Sequence, residues 1–413
     1  MVKNRPKKLT PKLRFPEFKG EWRPATISDL FRSEDEYEKA STFESDKILT
    51  VKLHANGVVR NERTGTLMGG ANYFKRRAGQ FIFSKIDLLN GAFGIVPEEL
   101  DGFYSSSDIP ALSFGTTHSP TFFLHWLVAH YRRLEIERTG TSATLRRVSP
   151  EKFLAVSIPL PSLAEQRKIT ACLTSLDQWI AAERRKLEVL RTHKKGLMQQ
   201  LFPREGEIRP RLRFPEFRNA PQWKVRRIRD LLQKASLPIE VEAEKMYREI
   251  GVRSHGKGIF HKDPVKGSVI GTKRVFQVVE GAFILNIIFA WEQAVAFTTK
   301  AEAGMIASHR FPMFVPKSNA CDVRFLKSAF LTPTGKHILG LASPGGAGRN
   351  RTLGQDEFDK IEIVVPAERE QAKIADTVLA ADALIAAQSR KLESLRAHKK
   401  GLMQQLFPSS EEV

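Results

Sequence analysis

The eleven-residue string HKKGLMQQLFP, at His193 to Pro203, returns letter for letter at His398 to Pro408, 205 residues later. Near the start, KLRFPEF at Lys12 to Phe18 returns as RLRFPEF at Arg211 to Phe217, 199 residues later. Between these anchors the two halves have diverged but remain traceable. His54 and Gly57 in LHANGVV correspond to His255 and Gly258 in SHGKGIF, and GQFIFSK from Gly79 corresponds to GAFILNI from Gly281. SPEKFLAVSIPLPSLAEQRKI from Ser149 corresponds to GQDEFDKIEIVVPAEREQAKI from Gly354. Self-similarity at a fixed spacing means that one structural unit is used twice. The 413 residues must therefore fold as two copies of one architecture, each large enough for its own core.

Each copy has two zones. The first mixes short β-rich runs such as GQFIFSKI and GAFILNIIFAW with Gly, Asn and Asp turns and helical pieces such as TFFLHWLVAHYRRLEIE, which predicts an α+β globule. The second begins after IPLPSLAEQ and VVPAEREQ, where Pro with Ser, or Pro with Glu, supplies helix-start chemistry. There the period changes. Ile169, Leu173, Leu176, Ile180, Glu183, Leu187, Leu190, Lys194, Leu197 and Leu201 alternate by four and three, as do Ile374, Val378, Ala381, Ile385, Gln388, Leu392, Leu395, Lys399, Leu402 and Leu406. That spacing keeps one stripe on one helical face and predicts a rod of roughly 50 Å at ~1.5 Å per residue.

A long helix with one apolar face needs a partner in water. Parallel, in-register pairing of the two would oppose Lys194 to Lys399 in the seam, which repulsion and desolvation resist. Antiparallel pairing removes that clash and relates the globules by an approximate two-fold axis. The alternative is that each helix packs on its own globule. Pro203 and Pro408 mark the helix ends. Gly196 and Gly401 are costly inside a helix, so they mark either a close backbone approach or a break in the last turns.

The expected spans are 1–160 and 204–365 for the globules, 161–203 and 366–408 for the helices, and 409–413 for a tail. The fold class is α+β, with two pseudo-symmetric globules separated by two long helices packed as an antiparallel coiled coil.

Charge narrows the function. Sixty-six Lys and Arg against 46 Asp and Glu give a net +20, which favours a polyanionic partner, nucleic acid above all. No apolar run is long enough to span a bilayer and the basic N-terminus lacks a signal-peptide core, so a soluble, cytoplasmic protein without a membrane partner is expected. Cys172 and Cys321 alone cannot build a disulfide framework or a CxxC metal site. No phosphate loop, HExxH or Gly-x-Ser-x-Gly motif occurs. NIIF at Asn286 to Phe289 lacks the prolines of an amino-methyltransferase motif and reads as strand. SEDEYEK from Ser33 sits in no apolar strand and reads as solvated surface, and SPGGAGRNR, Ser343 to Arg351, reads as a loop. No metal site is expected.

In this order, and twice over, the LRFPEF openings, PLPSLAEQRKI helix starts and HKKGLMQQLFP endings resemble the specificity subunits of type I restriction-modification systems. The resemblance spans essentially the whole chain. It implies a noncatalytic subunit whose two globules are target recognition domains, each reading one half of a bipartite, asymmetric site in double-stranded DNA, with the helices setting the spacer. It also implies two methyltransferase (modification) subunits that carry S-adenosylmethionine, and restriction (endonuclease and translocase) subunits that use ATP and Mg, with no cofactor on this chain. The competing readings are a self-contained DNA methyltransferase or nuclease with an unrecognised site, and a scaffold that reads no specific DNA.

Candidate DNA contacts are basic or polar residues on turns and strand ends: Arg60, Arg63, Lys75, Arg76, Arg77 and Lys85 in the first copy, and Arg253, His255, Lys257, His261, Lys262, Lys273 and Arg274 in the second. The identical helix ends offer two equivalent partner-docking surfaces, His193, Lys194, Lys195 and Gln199, and His398, Lys399, Lys400 and Gln404.

Overall fold

A computed structural model describes residues 10–32, 38–39, 46–62, 72–140, 146–317, 320–345 and 351–408. The chain forms two compact units, residues 1–184 with 391–413, and residues 185–390. Each unit therefore contains one globule and parts of both long helices, Leu163–Leu201 and Glu368–Leu406.

In the first unit the opening strand Arg23–Thr26 pairs antiparallel with the closing strand Ser157–Leu160, so the globule's two chain ends meet just before the helix starts. Its central sheet runs Phe93–Ile95, Phe81–Phe83, Ala111–Leu112. The aromatic FIF strand is fully buried, and Phe81 packs edge-on to Phe123 with ring centroids 5.1 Å apart. Phe123 lies on the helix Pro120–His130, begun by Pro120 at its first position and by Ser119, whose hydroxyl accepts from Phe122 N at 3.3 Å. The second unit repeats the plan. Lys224–Arg227 pairs with Glu362–Val365, and a four-stranded sheet runs Leu232–Ala235, Met313–Pro316, Phe283–Leu285, Val295–Phe297. GAFILNIIFAW is not one strand. It pairs only over Phe283–Leu285, and Asn286 turns the chain by accepting from Ile288 N at 3.1 Å, so NIIF is a turn where strand was expected.

Every position of both predicted stripes is buried or half-buried. The first unit's core takes in the start of the first long helix, Ile169 and Leu173, and the end of the second, Met403, Leu406 and Phe407. The second unit's core takes in Ile374, Ala375 and Val378 from the start of the second helix with Leu201 and Phe202 from the end of the first. Each helix thus starts on its own copy's globule and ends on the other's, so each of the two packing alternatives holds for part of its length.

Within each unit the helical segments run antiparallel, and the lysines that would have clashed each meet a carboxylate. Lys399 Nζ is 2.5 Å from Asp177 and Lys391 Nζ is 2.6 Å from Glu183 in the first unit; Lys194 Nζ is 2.5 Å from Asp382 in the second. Gly196 and Gly401 lie inside continuous helix with nothing within 4 Å of an added Cβ, so neither a close approach nor a break accounts for them.

Candidate nucleic-acid interface and the joints beneath it

The repeated motifs that flank each globule build one joint twice. In LRFPEF the Arg14 guanidinium donates to Glu165 through Nε at 2.7 Å and Nη2 at 2.8 Å, and Trp22 Nε1 adds a third bond at 3.2 Å. Arg213 grips Glu370 in the same way, at 2.7 and 2.6 Å, and also donates to the Ala220 and Pro221 carbonyls. The neighbouring glutamines finish the joint. Gln166 accepts from Ser119 N at 2.9 Å and donates to the Pro161 carbonyl at 3.0 Å, while Gln371 accepts from Asp322 N at 2.9 Å and donates to the Pro366 carbonyl at 3.0 Å. The segment before each Arg is pinned to the end of a long helix, Leu13 N to the Gln405 carbonyl at 3.0 Å and Leu212 N to the Gln200 carbonyl at 2.9 Å. Sequence reading missed these partners. The signal was the co-repetition of Arg in LRFPEF with Glu-Gln at the helix start.

On these joints the globules carry the candidate DNA contacts. In the first, exposed Arg60 pairs with Asp46 at 2.6 Å. Lys75 and Arg77 flank Glu38, at 3.4 and 3.3 Å, and form one cationic face. Arg76 is different. It is 2% exposed, and donates to Ser105 Oγ at 2.6 Å and the Ile109 carbonyl at 3.0 Å. Expected as a surface contact, it is a structural bolt: it follows the strand Tyr73–Lys75, its backbone is tied to Phe103 and Gly102, and its side chain reaches in to Ser105. Lys85 is half-buried beside Asp108, whose carboxyl is held below its usual range by the Arg147 hydrogen bond. Arg63 lies outside the described residues, as do residues 33–37 of the acidic SEDEYEK and residues 346–350 of SPGGAGRNR.

In the second globule Arg253, His255 and Lys257 share one exposed loop, with the Arg253 guanidinium 4.8 Å from the Phe260 ring centre. Lys262 and Lys273 converge on buried Glu249 at 2.5 and 3.5 Å. Burial alone would raise Glu249, but the Lys262 hydrogen bond and the two ammonium charges outweigh it and leave the carboxyl below its usual range. His261 Nε2 lies 2.9 Å from Glu302. Exposed Arg274 joins Lys234 and His309 around a cleft of about 290 Å³, two neighbours that sequence spacing did not single out. His54 and His255 both adopt left-handed φ, +60° and +59°, at corresponding turns.

On the helix ends, His193, Lys195, Gln199, His398, Lys400 and Gln404 are exposed. Lys194 and Lys399 do not join them as expected; each is half-buried in its ion pair to the other helix. Cys321 is buried and its thiol pushed up to about 12, whereas Cys172 is half-buried. Among the described residues no cluster of His, Cys, Asp or Glu could hold a metal ion, and no helix is long and apolar enough to cross a membrane.

Known proteins show the same pattern. Residues 19–192 match the type I restriction modification DNA specificity domain. The type I restriction enzyme MjaVIII specificity subunit of Methanocaldococcus jannaschii is 22% identical over 296 residues, 66% of this chain and 66% of that protein, so the chain spans about two thirds of its length. The S subunit of a type I restriction-modification system from M. genitalium superposes with a TM-score of 0.57 at 16% identity, covering 97% of this chain and 99% of that one. A chain from a structure of type I restriction-modification complex assembly gives 0.56 at 16% identity, covering 94% and 98%. These two likenesses speak for the fold. The family match takes in the first globule and most of the first long helix. In sequence and in fold the chain is similar to type I specificity subunits.

Proposed function

We propose that the chain is the noncatalytic DNA-reading subunit of a type I restriction-modification complex. Residues 1–160 and 204–365 act as target recognition domains, each reading one half of a bipartite, asymmetric site in double-stranded DNA. The long helices fix the spacer between the half-sites. They also dock two methyltransferase subunits through His193, Lys195 and Gln199 and through His398, Lys400 and Gln404. S-adenosylmethionine belongs to the modification subunits, and ATP and Mg to restriction subunits. The chain acts in the cytoplasm.

The observation that carries this reading is that the same Arg–Glu–Gln joint and the same lysine–aspartate pairing are kept beneath two globules whose basic surfaces differ. A protein that reads two different half-sites and receives the same partner twice needs that combination. The purified chain with S-adenosylmethionine is expected to transfer no methyl group, and to methylate adenines in a two-part motif once its modification subunit is added. Methylation or cleavage by the chain alone would instead make it a self-contained enzyme.

A further inference from the structure

In the second unit, the last turns of Leu163–Leu201, the His255 turn and the helix Val323–Phe330 enclose a pocket of about 400 Å³. Four cationic side chains line it, Arg191, Lys194, Lys195 and Lys327, against one carboxylate, Asp382. Lys194 holds that carboxylate at 2.5 Å, and Arg191 pairs with Glu188 at 2.8 Å. Lys195 and Lys327 form no ion pair among the described residues, and the one carboxylate in the wall, Asp382, is already held by Lys194. The Lys327 ammonium lies 5.7 Å from the centre of the Phe297 ring. Burial and the neighbouring Lys194 charge push it below the usual lysine range, against the pull of Asp382.

The first unit shows that the architecture does not require this ammonium. There the same joint, Lys399 on Asp177, is covered by His125, buried and depressed to about 4 by desolvation and by Lys399, hence neutral. Lys327 is therefore surplus to the packing. The rim is also strained. His255 and Gln293, both non-glycine, sit at φ +59° and are locked by His255 N to the Glu292 carbonyl at 2.7 Å and Gln293 Nε2 to the Phe330 carbonyl at 2.9 Å. Strain held in this way is characteristic of ligand clamps, and the volume falls in the range of small-molecule sites.

We propose that this pocket binds a phosphate group, carried either by a nucleic-acid backbone or by a free phosphorylated small molecule. Lys195 and Lys327 supply the charge-assisted hydrogen bonds that match its two negative charges. The assignment does not depend on the DNA-reading function.

The test is isothermal titration calorimetry of the full chain with inorganic pyrophosphate. Saturable binding is expected, weakened about tenfold or more by Lys327→Met and by Lys195→Ala, and unchanged by Lys300→Ala, an exposed cation elsewhere on the same unit. Lys195 is exposed, so its variant reports even if Lys327→Met misfolds. Absence of saturable binding, or equal affinity in all variants, overturns the proposal. So does binding of a tetraglutamate peptide where pyrophosphate fails, which would make the pocket a protein-docking site. If a short non-specific duplex displaces pyrophosphate, the phosphate is that of the backbone; if both bind together, it is that of a small molecule.

Discussion

Replacing Arg14 by alanine removes the one cation that, among the described residues, holds Glu165, a carboxylate whose side chain is 2% exposed. Two of its three hydrogen bonds vanish, and the 3.2 Å bond from Trp22 Nε1 remains. Breaking a buried pair by deleting one partner costs ~3–5 kcal/mol, because the other charge stays buried. Arg213→Ala should cost more. Glu370 is equally buried, but Trp223 Nε1 makes no hydrogen bond there, so no donor equivalent to Trp22 survives. The difference should be about one charged hydrogen bond, roughly 1.5–3 kcal/mol. Urea unfolding followed by tryptophan fluorescence reads the cost, and amide exchange over residues 20–26 localises it to the first joint. Arg14→Met combined with Glu165→Met should recover most of the loss, since a buried pair is replaceable by apolar side chains of similar volume. The reasoning fails if Arg14→Ala lies within ~1 kcal/mol of the parent, or if the double variant is worse than the single.

His125 gives a pH dependence. Its folded pKa, about 4, lies below the unfolded 6.5, so the unfolded state binds the extra proton and stability falls as pH drops from 6.5 towards 4. The loss approaches ~3 kcal/mol at ~1.4 kcal/mol per unit, and His125→Gln should flatten that stretch of a stability–pH curve. Gly196→Ala and Gly401→Ala should each stabilise by ~1 kcal/mol, read as a higher urea midpoint, because the new methyl groups meet nothing. Of the RR pair after Lys75, Arg76→Met should lower stability and Arg77→Ala should leave it within ~0.5 kcal/mol. The joint Lys75→Ala, Arg77→Ala variant should weaken DNA binding and reduce the salt slope by ~0.9 for each phosphate that is no longer neutralised.

What the sequence made legible were features that repeat along the chain. The four-and-three spacing from Ile169 to Leu201 predicted the buried stripe because helical geometry alone places those residues on one face. The Lys194 argument against parallel pairing needed only charge, and Asp382 proved to be the partner that antiparallel pairing supplies. Arg14 and Glu165 were hidden because they lie 151 residues apart and nothing local to either names the other. Arg76 illustrates a different limit. Three consecutive cations look alike in composition, and the buried one is separated from its neighbours only by partners 29 and 33 residues away, Ser105 and Ile109. Among the DNA candidates, side-chain type predicted a basic surface but not which residues share it, as with Lys262 and Lys273 on Glu249.

The central claim is that two domains read two half-sites at a spacing set by helix length. It is tested most directly by inserting four residues in frame within Ala181 to Glu188 and four beside Lys391 in the opposing helix. Methylated adenines are then mapped in DNA exposed to the variant and its modification subunit. Four residues add ~6 Å of helix, so both half-motifs should persist with the gap between them lengthened by about two base pairs. An unchanged gap beside intact half-motifs would contradict the account.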